Sequence, residues 1–172
     1  SFTAVSGRVT PSPGASCIVW QMRPSSRGRV RARSPDAREL PEIDPEYLST
    51  DEDRRALVGG MRVLRRIFAQ APLNDYVVAE NAPGAMVADD ASLLEFARNT
   101  GLTSFHFAGS CRMGPASDAQ AVVDPELRVH GVEALRVCDA SIMPIIVSGN
   151  TNAAAMMIAE KAADMLLGRA PA

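Results

Sequence analysis

The stretch from Phe105 to Asp164 constrains this chain most. It contains both histidines, two of the three cysteines and three small-residue turns, at Gly109, Gly131 and Gly149, set between short apolar runs. Scarce polar residues placed so densely between apolar runs point to chemistry. The residues before Phe105 read as scaffold.

A chain of 172 residues with 47% hydrophobic content is long enough for one domain with a sizeable core. Its formal net charge of −2 gives no electrostatic case for nucleic acid or an anionic membrane surface. All basic residues but Lys161 are arginines, interleaved with acids rather than clustered as a nucleic-acid face would need. Cys17, Cys111 and Cys138 are odd in number and share no short metal-ligand spacing. A disulfide framework and a metal site are therefore not expected, and a reducing, cytoplasmic compartment is. No apolar run reaches membrane-spanning length, and the first residues lack a signal-peptide pattern. The chain begins with Ser rather than Met, so a fragment or a processed chain is open.

In chain order, Cys17–Met22 is a short β-rich run, Pro24–Gly28 a turn, and Arg29–Ser34 an alternating run. These predict a hairpin with one wet, arginine-bearing face. Residues 35–47, with three prolines, predict an extended connector. Thr50 followed by Asp51, Glu52 and Asp53 starts a helix expected over 51–70, with Leu57, Met61, Leu64 and Phe68 as its apolar stripe. Gly59 and Gly60 inside it suggest close packing. Asp90 is a plausible cap for a second helix, Ala91–Asn99, which Gly101 ends.

Residues 103–107 form a short extended piece presenting His106 between two aromatic residues, and a turn follows at once. Alone, such a histidine is more often a hydrogen-bonded core residue than a catalyst. The small residues after it would let another group approach the backbone. Val122–Asp124 and Leu127–Val132 predict a hairpin closed at His130-Gly131, which makes His130 structural. Leu135–Cys138 is expected as a buried strand ending at Asp139. An acid there suits nucleotide binding in open α/β sheets, and it suits a turn or cap equally well. A last helix is expected over 153–167, with Gly168 as its stop. Asn150 and Asn152 before it are either caps or carboxamide donors beside a group that gains negative charge.

His106 with Gly109–Gly114, Val123–Gly131, Leu135–Pro144, Ser148–Ala153 and Ile158–Asp164 together resemble the glucose–methanol–choline (GMC) flavin oxidoreductases. Among their branches the chain looks most like the choline and alcohol dehydrogenase group. Arg23–Gly28 also matches that family's substrate domain, so the resemblance covers nearly the whole chain. No G-x-G-x-x-G occurs, so the dinucleotide-binding segment that opens such enzymes is absent. The resemblance therefore implies an α+β fold, the C-terminal portion of a GMC enzyme. Residues 1–107 would be the later part of the substrate-binding domain, and 108–172 the segment returning to the FAD-binding domain.

It further implies oxidation of a small-molecule alcohol by hydride transfer to flavin N5, with FAD as cofactor and the missing N-terminal FAD-binding segment as partner. His106 and Asn150 occupy the catalytic positions, His106 assisting alkoxide formation and Asn150 holding the substrate oxygen. Asp139, Ala140, Thr151 and Asn152 occupy cofactor-binding positions. Phe107 replaces the family's usual Pro after the histidine, which puts the pocket shape in doubt. Two rivals stand beside this expectation: a hydroxynitrile lyase of the same family, and a truncated chain serving only as a structural or interaction module.

Overall fold

A computed structural model describes residues 13–169, which fall into two compact units of an α+β protein. One comprises residues 13–27 and 46–102, the other 28–45 and 103–169. The division follows compactness, and the segment Gly28–Pro45 groups with the C-terminal residues.

The second unit opens with a two-stranded antiparallel hairpin, β1 (Arg29–Arg31) and β2 (Glu42–Asp44). The register sets Arg29 opposite Asp44 and Arg31 opposite Glu42, so a basic strand faces an acidic one. Arg29 reaches both acids, at 2.8 Å from Asp44 and 3.8 Å from Glu42. This corrects the expected pairing. Cys17–Met22 forms no strand, and the partner of β1 lies in the proline-rich connector instead. Nor is only one face wet, because Val30 is exposed along with its flanking arginines.

Beyond Thr103 the backbone folds by turns. Asp124 accepts from the amides of Glu126 and Arg128, both at 2.9 Å, and from Arg128 Nε at 2.7 Å, which closes a tight turn. Val123 then bridges Val129, and Arg128 bridges Arg136 across a second turn at His130-Gly131. The single hairpin expected there is therefore two successive turns. Leu135–Cys138 is not a buried strand: it makes one bridge and Leu135 is 49% exposed. Positive φ at Leu127 (67°) and Ala134 (59°) breaks the regular ladder that a strand would need. His130 is structural as expected, its Nε2 donating to the Gly114 carbonyl at 3.1 Å.

The unit closes with the last helix of the chain, over Asn152–Leu167 (α3). Gly168 ends it in the left-handed conformation (φ 64°), the stop expected of a glycine at that position. Ile158 and Ala162 bury against Val123, Leu127, Ile142 and Met143 to make the core.

In the first unit, α1 (Asp51–Phe68) starts at Thr50, whose Oγ1 accepts from the Asp53 amide at 3.3 Å. Its stripe is half-buried as the spacing predicts, with Val58 fully buried beside it. Of the two glycines, Gly60 marks close packing, since a Cβ there would meet Val19 Cγ1 at 2.4 Å, whereas Gly59 faces open space. The second helix, α2 (Asp90–Thr100), is capped by Asp89 rather than Asp90. Asp89 Oδ1 accepts from the Ser92 amide at 2.9 Å. Leu93, fully buried, and Ala97 form the inner face of α2.

Asp53 is the most constrained charge in this unit. It is 1% exposed and accepts five hydrogen bonds from Gln21, Ser25 and Ser26, including the amides of Ser25 (2.9 Å) and Ser26 (2.8 Å). Burial alone would push its carboxyl up. The bonds from the Ser26 hydroxyl, the Ser25 and Ser26 amides and Gln21 outweigh burial and hold it well below the usual 3.8. A folded-state pKa below the unfolded value stabilises the fold fully above that unfolded value, and the contribution disappears as pH falls through the folded one. Stability should therefore decline below about pH 4 in the wild type and do so much less in Asp53→Ala. Asp53→Ala itself should lose on the order of 3 kcal/mol at pH 7, read by urea unfolding, because it strands buried donors.

Candidate active site

His106 is positioned by backbone geometry on both sides. Before it, Phe105 adopts φ 59° and its amide donates to Thr103 Oγ1 at 3.1 Å, which bends the extended piece. After it, Gly109 turns the chain at φ 85°. The segment that follows docks along residues 141–142: the Cys111 amide donates to the Ser141 carbonyl at 2.9 Å, and the Met113 amide to the Ile142 carbonyl at 2.8 Å. Ala108 and Met113 pack on the core that also seats α3. A half-buried imidazole is thereby held between a bend and a turn, and Ala108 and Met113 on the C-terminal side anchor it to that apolar cluster.

The ring then meets α3. His106 Nδ1 lies 3.0 Å from Thr151 Oγ1, across 45 residues of chain. Thr151 is the residue preceding α3 and is buried, while its neighbours Asn150 and Asn152 are exposed. Its hydroxyl makes no capping bond to its own helix. The positive end of α3 therefore opens beside His106 with its first-turn amides uncapped by that side chain. His106 Nε2 has no hydrogen-bond partner among the described residues.

Asp139 stands elsewhere on the same unit, at the start of a 3₁₀ turn over Ala140–Ile142. Its Oδ1 accepts from the Ser141 amide at 2.8 Å, so of its two sequence readings the structure displays the capping one. Ala140 is half-buried and packs against the core. The structure thus ties His106 to Thr151, and through Thr151 to the segment carrying Asn150 and Asn152. It shows no bond between Asp139 or Ala140 and the His106 group. Two open concavities of about 460 and 430 Å³, one along residues 128–136 and one at Gly59, Arg62, Arg65 and Arg66, contain neither His106 nor Asn150.

The sequence reading missed the His106–Thr151 bond. The available signal was a threonine at the helix-capping position immediately after Asn150. The donor set at the opening of α3, helical amides flanked by two exposed carboxamides, fits a planar heterocycle that gains negative charge on reduction. Among the described residues no cluster of His, Cys, Asp and Glu could hold a metal ion.

The sequence pattern of the GMC oxidoreductases matches residues 24–159, which include His106, Thr151 and the opening of α3. The chain belongs to the GMC oxidoreductase family. It is 48% identical over 158 residues to oxygen-dependent choline dehydrogenase 1 of Chromohalobacter salexigens, and 49% identical over 158 residues to the oxygen-dependent choline dehydrogenase of Pseudomonas aeruginosa. Each alignment covers 92% of this chain and 28% of the relative, so the chain spans little more than a quarter of those proteins. Among solved structures it is similar to pyridoxine 4-oxidase from Mesorbium loti, with 35% identity and a TM-score of 0.79 over 87% of this chain and 29% of that one. A fungal aryl-alcohol oxidase matches with 33% identity and a TM-score of 0.77, over 86% of this chain and 24% of that one. An FAD-dependent oxidoreductase from Chaetomium thermophilum is also similar, with 32% identity and a TM-score of 0.74 over 82% of this chain and 24% of that one.

The turn after His106 makes a direct check of this geometry. A Cβ at Gly109 would lie 3.2 Å from the Met143 carbonyl, and φ 85° disfavours any L-residue. Gly109→Ala should cost about 1–2 kcal/mol of stability in urea unfolding.

Proposed function

We propose that this chain is the catalytic C-terminal part of an FAD-dependent enzyme that oxidises a small-molecule alcohol, choline-like in type, to an aldehyde or ketone. Family membership and similarity to choline dehydrogenases support the reaction class. The observation that carries the site is the His106–Thr151 bond, which ties the imidazole to the helix opening that follows Asn150. Residues 1–107 belong in this reading to the substrate-binding domain, and 108–172 to the FAD-binding domain. The preceding FAD-binding segment is the required partner. Met156, Met157, Leu166 and Leu167 of α3, each 57–62% exposed, are apolar surface for it to cover. No helix among the described residues is long and apolar enough to cross a membrane. Three free thiols support a cytoplasmic enzyme in this reading.

His106 takes the hydroxyl proton at Nε2, since Nδ1 is engaged and imidazole both accepts and releases a proton near neutral pH. Asn150 cannot accept that proton. It donates its carboxamide to the substrate oxygen and fixes the alcohol in place. When bound, FAD supplies the hydride acceptor at flavin N5. Asn152 and the amide of Thr151, at the positive end of α3, would hold the end of the ring that becomes negative. Asp139 and the Ala140 amide would hold the ribityl–pyrophosphate portion.

Anaerobic stopped-flow mixing of the complete flavoprotein with choline or another primary alcohol tests this. The flavin should bleach, and His106→Gln should slow bleaching by at least on the order of 10²-fold. A flavin that stays oxidised while a cyanohydrin is cleaved would replace the oxidoreductase with a lyase. Asn150→Ala should lower turnover while leaving the flavin bound, and unchanged turnover would remove Asn150 from the site.

A further inference from the structure

Thr151 occupies the position from which a threonine hydroxyl ordinarily accepts a bond from its own helix, a bond worth about 1 kcal/mol. Here the hydroxyl forgoes that bond and lies 3.0 Å from His106 Nδ1 instead. Thr151 is 8% exposed, the one buried polar side chain at the opening of α3, between two exposed asparagines. Its carbonyl still accepts the first helical bond, from the Ala155 amide at 2.9 Å, so the backbone keeps its capping role while the side chain serves the imidazole.

We infer that Thr151 is a positioning residue for His106, accepting a hydrogen bond from Nδ1–H and so holding the ring in the tautomer whose Nε2 is free to take a proton. The inference rests on the reading of His106 as the group that receives the substrate's hydroxyl proton. A hydroxyl can donate to Nδ1 or accept from it, and the two choices have opposite consequences. If Thr151 donated, the neutral ring would carry its proton on Nε2 and could accept nothing there. With Nδ1–H donating to Oγ1, Nε2 presents a lone pair. When the alcohol O–H bond breaks and Nε2–H forms, the Nδ1–H bond to Oγ1 is unchanged, because Nδ1 is protonated both before and after. The same contact therefore serves the neutral and the charged ring, and no hydroxyl has to reverse during proton transfer.

His130 supplies a contrast within the same unit. Its Nε2 faces the Gly114 carbonyl, which only accepts, so that ring must carry its proton on Nε2. A backbone carbonyl admits one answer. A threonine hydroxyl admits two, and the chemistry assigned to Nε2 selects between them.

The test is the nitrogen NMR spectrum of the complete flavoprotein labelled with ¹⁵N-histidine, with the His106 signals assigned by their loss in His106→Gln. In the neutral ring of the wild type, Nδ1 should show the shift of a protonated nitrogen and Nε2 that of an unprotonated one. This measurement needs no folded variant at position 151. Thr151→Val should move His106 toward a tautomer mixture and lower kcat by on the order of 10-fold to 10²-fold, with the alcohol KM changed far less. Thr151→Ser should restore both the tautomer and most of the rate. A wild-type His106 protonated at Nε2, or a Thr151→Val spectrum identical to wild type, overturns the inference. Loss of alcohol-driven bleaching in His106→Gln alongside either result would leave the proposed function standing. Intact bleaching in His106→Gln would instead sink that function, whichever tautomer is found.

Discussion

Val123, Leu127, Ile142 and Met143 close against Ile158 and Ala162 of α3, and the rest of the C-terminal unit depends on that contact. Between Thr103 and Thr151 the described backbone has a 3₁₀ turn and isolated bridges, but no continuous strand ladder. Turn hydrogen bonds alone are each worth only about 1 kcal/mol net and cannot fix such a segment in water. Each fully buried aliphatic side chain contributes about 1.5–3 kcal/mol, and these come from both sides of the loop region and from the helix. The cluster therefore sets where α3 lies, and with it where Thr151 stands relative to His106.

That dependence explains why the site is built from irregular backbone. His106 sits between a residue at φ 59° and a glycine at φ 85°, conformations that extended strands and helices do not offer. A non-glycine residue in the left-handed region costs roughly 1–2 kcal/mol and persists only where its surroundings hold it. Here Phe105 donates its amide to Thr103 Oγ1, and beyond Gly109 the amides of Cys111 and Met113 bond to the carbonyls of Ser141 and Ile142, the latter a core residue. Irregular backbone aims the imidazole at the helix opening, and regular packing keeps it there.

The parts of this fold written locally were legible in the sequence. Thr50, Gly101 and Gly168 mark helix ends because caps act within a turn of the residue, and Asp89 displaced Asp90 by a single position. Pairings set at a distance were not. Arg29–Arg31 and Glu42–Asp44 carry complementary charge, but Pro41 and Pro45 flank the second strand and disguise it as a connector. Asp53 reads as one of three acids suited to a helix start, yet its burial comes from Ser25 and Ser26, over 20 residues earlier. The resemblance to GMC enzymes placed His106 and Asn150 at catalytic positions. No spacing rule could show that the hydroxyl between Asn150 and Asn152 reaches back 45 residues to the ring.

The chemical identity of that partner carries weight of its own. A carboxylate against Nδ1 would orient the ring equally well, but in the proposed reaction it would add a negative charge near the substrate oxygen as that oxygen becomes anionic. A backbone carbonyl would orient it without charge, but carbonyls near the start of a helix point along the helix and are consumed by its first turn, as that of Thr151 is by Ala155. A side-chain hydroxyl at the capping position avoids both problems. It is neutral, it projects from the helix opening, and it leaves the positive end of α3 uncompensated by any side chain of its own. In the proposed mechanism one residue thus fixes the ring and keeps the local field favourable to developing negative charge. Either a stronger acid or a conventional cap at position 151 would give up one of the two.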